Sequence, residues 1–180
     1  MVYVFLANGF EEVEGLTPVD VLRRAGVKVN TVGVGSDVIT GAHGISVKTD
    51  ITINDIKLDD ELDMVVLPGG MPGANNLENS KEVSSAVDYC AGGDRFVAAI
   101  CAAPKILGHK GLLAGREATC FPGFEQELFG ANLSEKSVAW DGKFITGKSA
   151  GVALEFALKL VEALTSKENA EKLKASMVCE

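Results

Sequence analysis

Phe96-Val97-Ala98-Ala99-Ile100-Cys101-Ala102-Ala103-Pro104 passes from an uninterrupted apolar run straight into a helical pattern, with Cys101 at the join. An apolar run without polar alternation reads as a strand buried on both faces, as in a parallel sheet covered by helices. At a sharp strand-to-helix turn the backbone folds back so tightly that the residues two before and two after the central one crowd each other. Ala99 and Ala103 leave room for that turn. Cys101 then reads as a nucleophile on an elbow, with the free amides and positive dipole end of the next helix favouring its thiolate. A small buried hydrophobe would suit the same position, and the junction alone does not choose between the two.

Working outward, further β-rich runs stand at Val2 to Ala7, Lys28 to Val34, Met64 to Leu67 and Lys143 to Thr146, separated by longer amphipathic stretches. That alternation predicts one α/β domain over residues 1–180, a mostly parallel sheet with helices on both faces. Gly41 and Gly44 punctuate two β-prone runs between Val38 and Ile51, which predicts a hairpin. From Glu11 to Arg24, Val13, Leu16, Val19 and Leu22 recur at helical spacing, but Pro18 lacks an amide donor. Glu14 is therefore expected on a short turn ahead of the main helix. Ser149 is expected to cap a mostly buried helix whose one wet face carries Glu155, Lys159 and Glu162.

The formal net charge of -8, with Lys and Arg scattered, argues against a nucleic-acid surface, which needs a clustered basic face. The opening Val2-Tyr3-Val4-Phe5-Leu6 follows no basic leader, and no apolar run is long enough to span a bilayer, so no membrane contact and a cytoplasmic location are expected. Cys90, Cys101, Cys120 and Cys179 show no close pairing and read as free thiols. Only His43 and His109 could join them as nitrogen ligands, so no metal is expected.

Two other segments bear on the chemistry. Val65-Val66-Leu67-Pro68-Gly69-Gly70 ends a parallel strand in glycines that expose backbone amides, at the kind of edge where open α/β sheets bind ligands. A plain tight turn would look the same, and no nucleotide-loop pattern is present. Asn8-Gly9-Phe10-Glu11-Glu12-Val13-Glu14 supplies three carboxylates in one turn-prone stretch. Such acids commonly start a helix, where they suit the dipole. One turned inward against a cysteine would have a raised pKa and could carry a proton, and Glu14, next to Val13, is the residue placed for it.

Together, Ala98 to Pro104, Val65 to Gly70 followed by Gly73-Ala74 and Asn76-Leu77, Gly9 with Glu11 to Glu14, and Pro18 to Gly26 resemble the DJ-1/ThiJ branch of the DJ-1/PfpI family. The similarity runs on through Glu155 to Leu158 and Val161 to Leu164. The resemblance implies a flavodoxin-like three-layer sandwich, a homodimer built on the first helix, Cys101 as elbow nucleophile and Glu14 as its protonated partner. It also implies an oxyanion site from the amides of Gly69, Gly70 and Ala102. The protease branch of the family has a histidine directly after the cysteine; Ala102 stands there, which argues against that triad. Several DJ-1-like members also carry a histidine before a proline after the elbow helix. Here the stretch is Thr119-Cys120-Phe121-Pro122, which brings a second thiol, Cys120, in place of that histidine. His109 lies eight residues on, roughly 12 Å along a helix. His43 would have to fold over from a hairpin or a partner subunit. In a dimer Arg24 would approach the partner's site. The apolar arc of the first helix, from Pro18 to Ala25 with Val19, Val21 and Leu22, is expected to bury two surfaces.

The activity so implied is glyoxalase or deglycase chemistry on small 2-oxoaldehydes such as methylglyoxal and glyoxal, or their early adducts, without a cofactor. The same cysteine would serve an oxidative-stress sensor or chaperone through oxidation to sulfenic and sulfinic acid. No residue supports thiazole biosynthesis, a role often attached to ThiJ-like sequences.

Overall fold

The apolar runs become the middle of one seven-stranded sheet. In the computed structural model, which describes residues 1–179, the chain opens with β1 (Val2–Ala7), α1 (Glu12–Arg24) and β2 (Val29–Val34). A hairpin, β3 (Val38–Thr40) and β4 (Ser46–Lys48), leads to β5 (Ile51–Thr52). Then follow β6 (Met64–Leu67), α2 (Gly73–Glu78), α3 (Lys81–Gly92), β7 (Phe96–Ile100) and α4 (Pro104–His109). The small strands β8 (Glu117–Ala118) and β9 (Asn132–Leu133) precede β10 (Val138–Asp141), β11 (Phe144–Gly147), α5 (Ala153–Leu164) and α6 (Lys167–Ser176).

The sheet order is β10-β11-β7-β6-β1-β2-β5, parallel except for the antiparallel edge β10. Without the two edge strands, the order is second, first, third, fourth, fifth, the flavodoxin-like arrangement. Side chains of β1 alternate between two cores. Val2, Val4 and Leu6 pack with Val19 and Leu22 of α1 and Phe156 and Leu160 of α5, while Tyr3, Phe5 and Ala7 pack with Leu77, Val83 and Leu107 from α2, α3 and α4. Burial of a side chain such as Phe5 or Leu6 contributes about 1.5–3 kcal/mol, which explains a strand with no charged residue on either face.

The expected hairpin forms, with β3 and β4 antiparallel. Three expectations are corrected. Glu14 lies within α1 itself, because the helix continues through Pro18. Proline here removes one helical bond, and packing of the buried Val19, Val21 and Leu22 offsets that loss. Those same residues are covered within the chain, so the apolar arc of α1 does not require a second surface. The apolar residue α1 leaves open is Val13, 49% exposed. At the far end, Ser149 makes no side-chain cap, and a short 3-10 turn over Ala150–Val152 leads into α5. Among the described residues no helix is long and apolar enough to cross a membrane.

Candidate active site

The chain leaves β1 toward β2 on one side of the sheet and later returns to β6 on the other, so a crevice opens beyond the carboxyl ends of β1 and β6. Three segments meet there: the turn after β1 that starts α1, the Pro68–Gly70 loop after β6, and Cys101 directly after β7. Cys101 has φ +66°, a left-handed conformation rare for a residue with a side chain. Such a conformation costs about 1–3 kcal/mol and persists only where the surroundings hold it. Here the Cys101 amide donates to the Gly147 carbonyl at 2.9 Å, and the Cys101 carbonyl accepts from the Phe121 amide at 2.8 Å. The thiol carbon is thus fixed at the tip of β7, with the half-buried sulfur facing the crevice group.

Glu14 comes from the first turn of α1 and is almost wholly buried, at 1% exposure. Its Oε2 accepts from the Gly69 amide at 2.9 Å. Its Oε1 is buried without a partner of proper hydrogen-bond geometry, although the Cys101 thiol acts on the same carboxyl group as a looser contact. A side chain on Gly69 would begin 2.7 Å from Glu14 Oε2, 2.8 Å from Cys101 Cβ and 3.0 Å from the Ala102 amide nitrogen, so only glycine lets these three converge. Gly70 has φ +83°, and a Cβ there would lie 2.3 Å from the Glu11 amide nitrogen. The structure brings Gly69, Gly70 and Ala102 together but divides their work. The Gly69 amide is committed to Glu14, whereas those of Gly70 and Ala102 act on the sulfur.

Electrostatics departs from the expectation of a lowered thiol. Burial pushes Cys101 up to about 12, the negative charge and hydrogen bond of Glu14 push the same way, and the Ala102 and Gly70 amides oppose them. The dipole that was to lower it is weak, since α4 begins only at Pro104 and is six residues long. Burial likewise pushes Glu14 up to about 7, against the hydrogen bonds of Cys101 and Gly69. Two groups that each resist a second negative charge titrate as a pair: one proton leaves near 7, the other only near 12.

The accessory candidates fall elsewhere. His43, in the β3–β4 turn, folds over the start of α1 in its own chain, with Nδ1 2.9 Å from Glu12 Oε2 and 3.5 Å from Glu11 Oε1. These three are the metal-ligating group that converges among the described residues, their ligand atoms within 4.8 Å, a combination of histidine with carboxylates that the sequence reading did not weigh. Arg24 is exposed and paired with Asp20 at 2.8 Å, one helical turn back. Cys120 is buried in the core on the α4 side, and burial followed by the charge of Glu125 pushes it up to about 11. His109 turns to Glu78 and Glu127. Sequence reasoning missed Phe121, whose amide holds the elbow, because a backbone bond leaves no trace in side-chain type.

Residues 1–163 match the model of the DJ-1/PfpI family. The chain is 38% identical over 180 residues to Protein DJ-1 homolog B of Arabidopsis thaliana, covering 98% of this chain but only 41% of that protein. It is 35% identical over 147 residues to Deglycase PfpI of Pyrococcus furiosus, covering 81% of this chain and 87% of that one. Among solved structures, oxidized Toxoplasma gondii DJ-1 superposes with a TM-score of 0.94 at 33% identity, covering 99% of this chain and 97% of the other.

Proposed function

Because this chain belongs to the DJ-1/PfpI family, we propose that it is a cofactor-independent enzyme of the glyoxalase or deglycase type, converting 2-oxoaldehydes to 2-hydroxy acids through Cys101. The observation that carries this reading is the strained Cys101 beside a buried Glu14 with an unpartnered Oε1. A carboxylate with an orphaned buried oxygen is costly, whereas a protonated Oε1 can donate to the sulfur. In this reading substrate attack draws the single negative charge of the pair onto the sulfur, where the Gly70 and Ala102 amides support it, and the proton onto Glu14, against the resting preference that burial gives the thiol.

With methylglyoxal, the thiolate adds to the aldehyde carbon, forming a C–S bond while the carbonyl electron pair moves to oxygen. The Gly70 and Ala102 amides stabilise that oxyanion, which takes the proton of Glu14 and becomes a hemithioacetal. Glu14, now a carboxylate, removes the hydrogen from the former aldehyde carbon and returns it to the adjacent carbon, while the hydroxyl proton passes from the first oxygen to the second, so that the first carbon becomes a thioester carbonyl and the second carries a hydroxyl. Water then cleaves the C–S bond, releasing lactate and restoring the thiol. The overall change is addition of one water, with no external oxidant or reductant. Formation of lactate from methylglyoxal over many turnovers, absent in Cys101→Ala, tests it. A wild-type protein that consumes methylglyoxal only stoichiometrically overturns it.

A second reading makes Cys101 an oxidation sensor or a stress chaperone, its sulfinate held by the protonated Glu14. The oxidized state named for the Toxoplasma gondii relative favours considering it. Peroxide that modifies Cys101 first, in a protein without turnover, is its signature. We further propose a homodimer that functions in the cytoplasm, with Arg24 near the partner's site.

A further inference from the structure

The glycine loop after β6 and the elbow meet at Cys101, where a Cβ on Gly69 would begin 2.8 Å from Cys101 Cβ and 3.0 Å from the Ala102 amide nitrogen. The paired strands β6 and β7 bring the two together, Leu67 opposite Ala99, and the chain runs on from each into a helix, α2 or α4. Gly70 is bound to α2 directly, since its carbonyl accepts from the Ala74 amide at 2.9 Å. Ala102 is bound to α4 through the short turn at Ala103 and Pro104.

Between the two helices lies Lys105, a lysine only 8% exposed. Its Nζ donates to Asn75 Oδ1 at 2.5 Å and pairs with Glu78 Oε2 at 3.0 Å, both residues of α2. His109, at the other end of α4, bonds Glu78 Oε1 at 2.5 Å. Burial alone would raise Glu78, but the bonds from Lys105 and His109 hold its carboxyl below the usual range. Long side chains lose much rotamer freedom on burial, and surface packing of α4 asks for no charge here. Ile106 and Leu107 already anchor that helix in the core.

We propose that Lys105 is a positioning residue, a clamp from the elbow helix to α2 that fixes the Gly70 and Ala102 amides at the spacing needed around the Cys101 sulfur. The inference rests on reading Cys101 as the reacting group. It assigns to a lysine without access to the crevice an effect on the chemistry there. Without the clamp, α2 drifts, the Gly70 amide leaves the sulfur, and the thiolate loses one of its two backbone donors.

The test follows alkylation of Cys101 by iodoacetamide as a function of pH, read by mass spectrometry, together with thermal stability. Lys105→Met should shift the alkylation profile to higher pH and slow modification at pH 7 about tenfold, the equivalent of one pH unit. It also leaves Glu78 short of a partner and lowers the melting temperature. Adding Glu78→Gln removes that unpaired charge and should recover most of the melting temperature while alkylation stays slow. A double variant with both wild-type stability and a wild-type profile overturns the proposal, since a merely structural role predicts that the two return together. If Lys105→Met does not fold, Asn75→Ala, which removes only the neutral partner, must shift the profile in the same direction by a smaller amount; no shift overturns it equally. Alkylation needs no turnover, so a wild-type protein inert toward methylglyoxal rejects the proposed reaction and not the clamp.

Discussion

At Cys101 the backbone and the side chain make separate demands, and two substitutions separate them. Cys101→Ala and Cys101→Gly both delete the thiol, but only glycine relaxes φ +66°. The glycine variant should be the more stable of the two by about 1 kcal/mol, or about 2–4 °C in melting temperature, by calorimetry. Neither should turn over methylglyoxal. Glu14→Gln keeps the size of its buried neighbour and removes the proton carrier, so kcat should fall at least about 100-fold while iodoacetamide still modifies Cys101 at pH 7. Loss of alkylation together with turnover would assign Glu14 to thiolate formation alone. The elbow at Cys101, its small flanking alanines and the glycine loop were legible in the sequence, since each rests on local chain geometry. The sign of the thiol shift was not, because it follows from burial and from Glu14, which only the fold brings alongside. Lys105 was invisible for the same reason: Asn75 and Glu78 lie about thirty residues upstream.

At the scale of elements, the strands emerged within a residue or two of their apolar runs, because burial on both faces imposes the same composition throughout. Helix α1 misled at Pro18, where tertiary packing overrides a local penalty. The buried Leu22 accordingly cannot report on dimerisation: Leu22→Glu would place a charge in the core and unfold the chain. The apolar residues open to a partner around this helix are Val13 and, from the hairpin beside Glu12, Ile45 at 55% exposure. Val13→Glu should leave the melting profile near that of the parent and convert a species of twice the 18.9 kDa chain mass into one of single mass in sedimentation equilibrium. A parent that already sediments as a single chain at micromolar concentration rejects the dimer.

For the whole molecule, the Glu14–Cys101 pair links stability to pH. Glu14 is raised from 4.5 to about 7, so between those values the folded chain holds a proton that the unfolded chain has released. Stability is therefore full below pH 4.5 as far as this group is concerned, and is lost as pH rises through 7. The loss is about 3 kcal/mol, from roughly 2.5 pH units at 1.36 kcal/mol each. Urea unfolding at pH 5 and pH 8 should show that decline in the parent and not in Glu14→Gln; an equal decline in both would mean that other groups carry it. The sheet has a further consequence through its rims. One outermost strand, β5, pairs through Ile51 and Thr52 only, and the other, β10, is four residues long and turns back at Gly142. A rim this brief offers too few free backbone donors and acceptors to recruit a strand from another molecule. The strongly apolar stretch from Val2 to Leu6, the kind that stacks into fibrils, is the third strand from one rim, so the native chain is guarded against cross-β growth until the sheet itself comes apart.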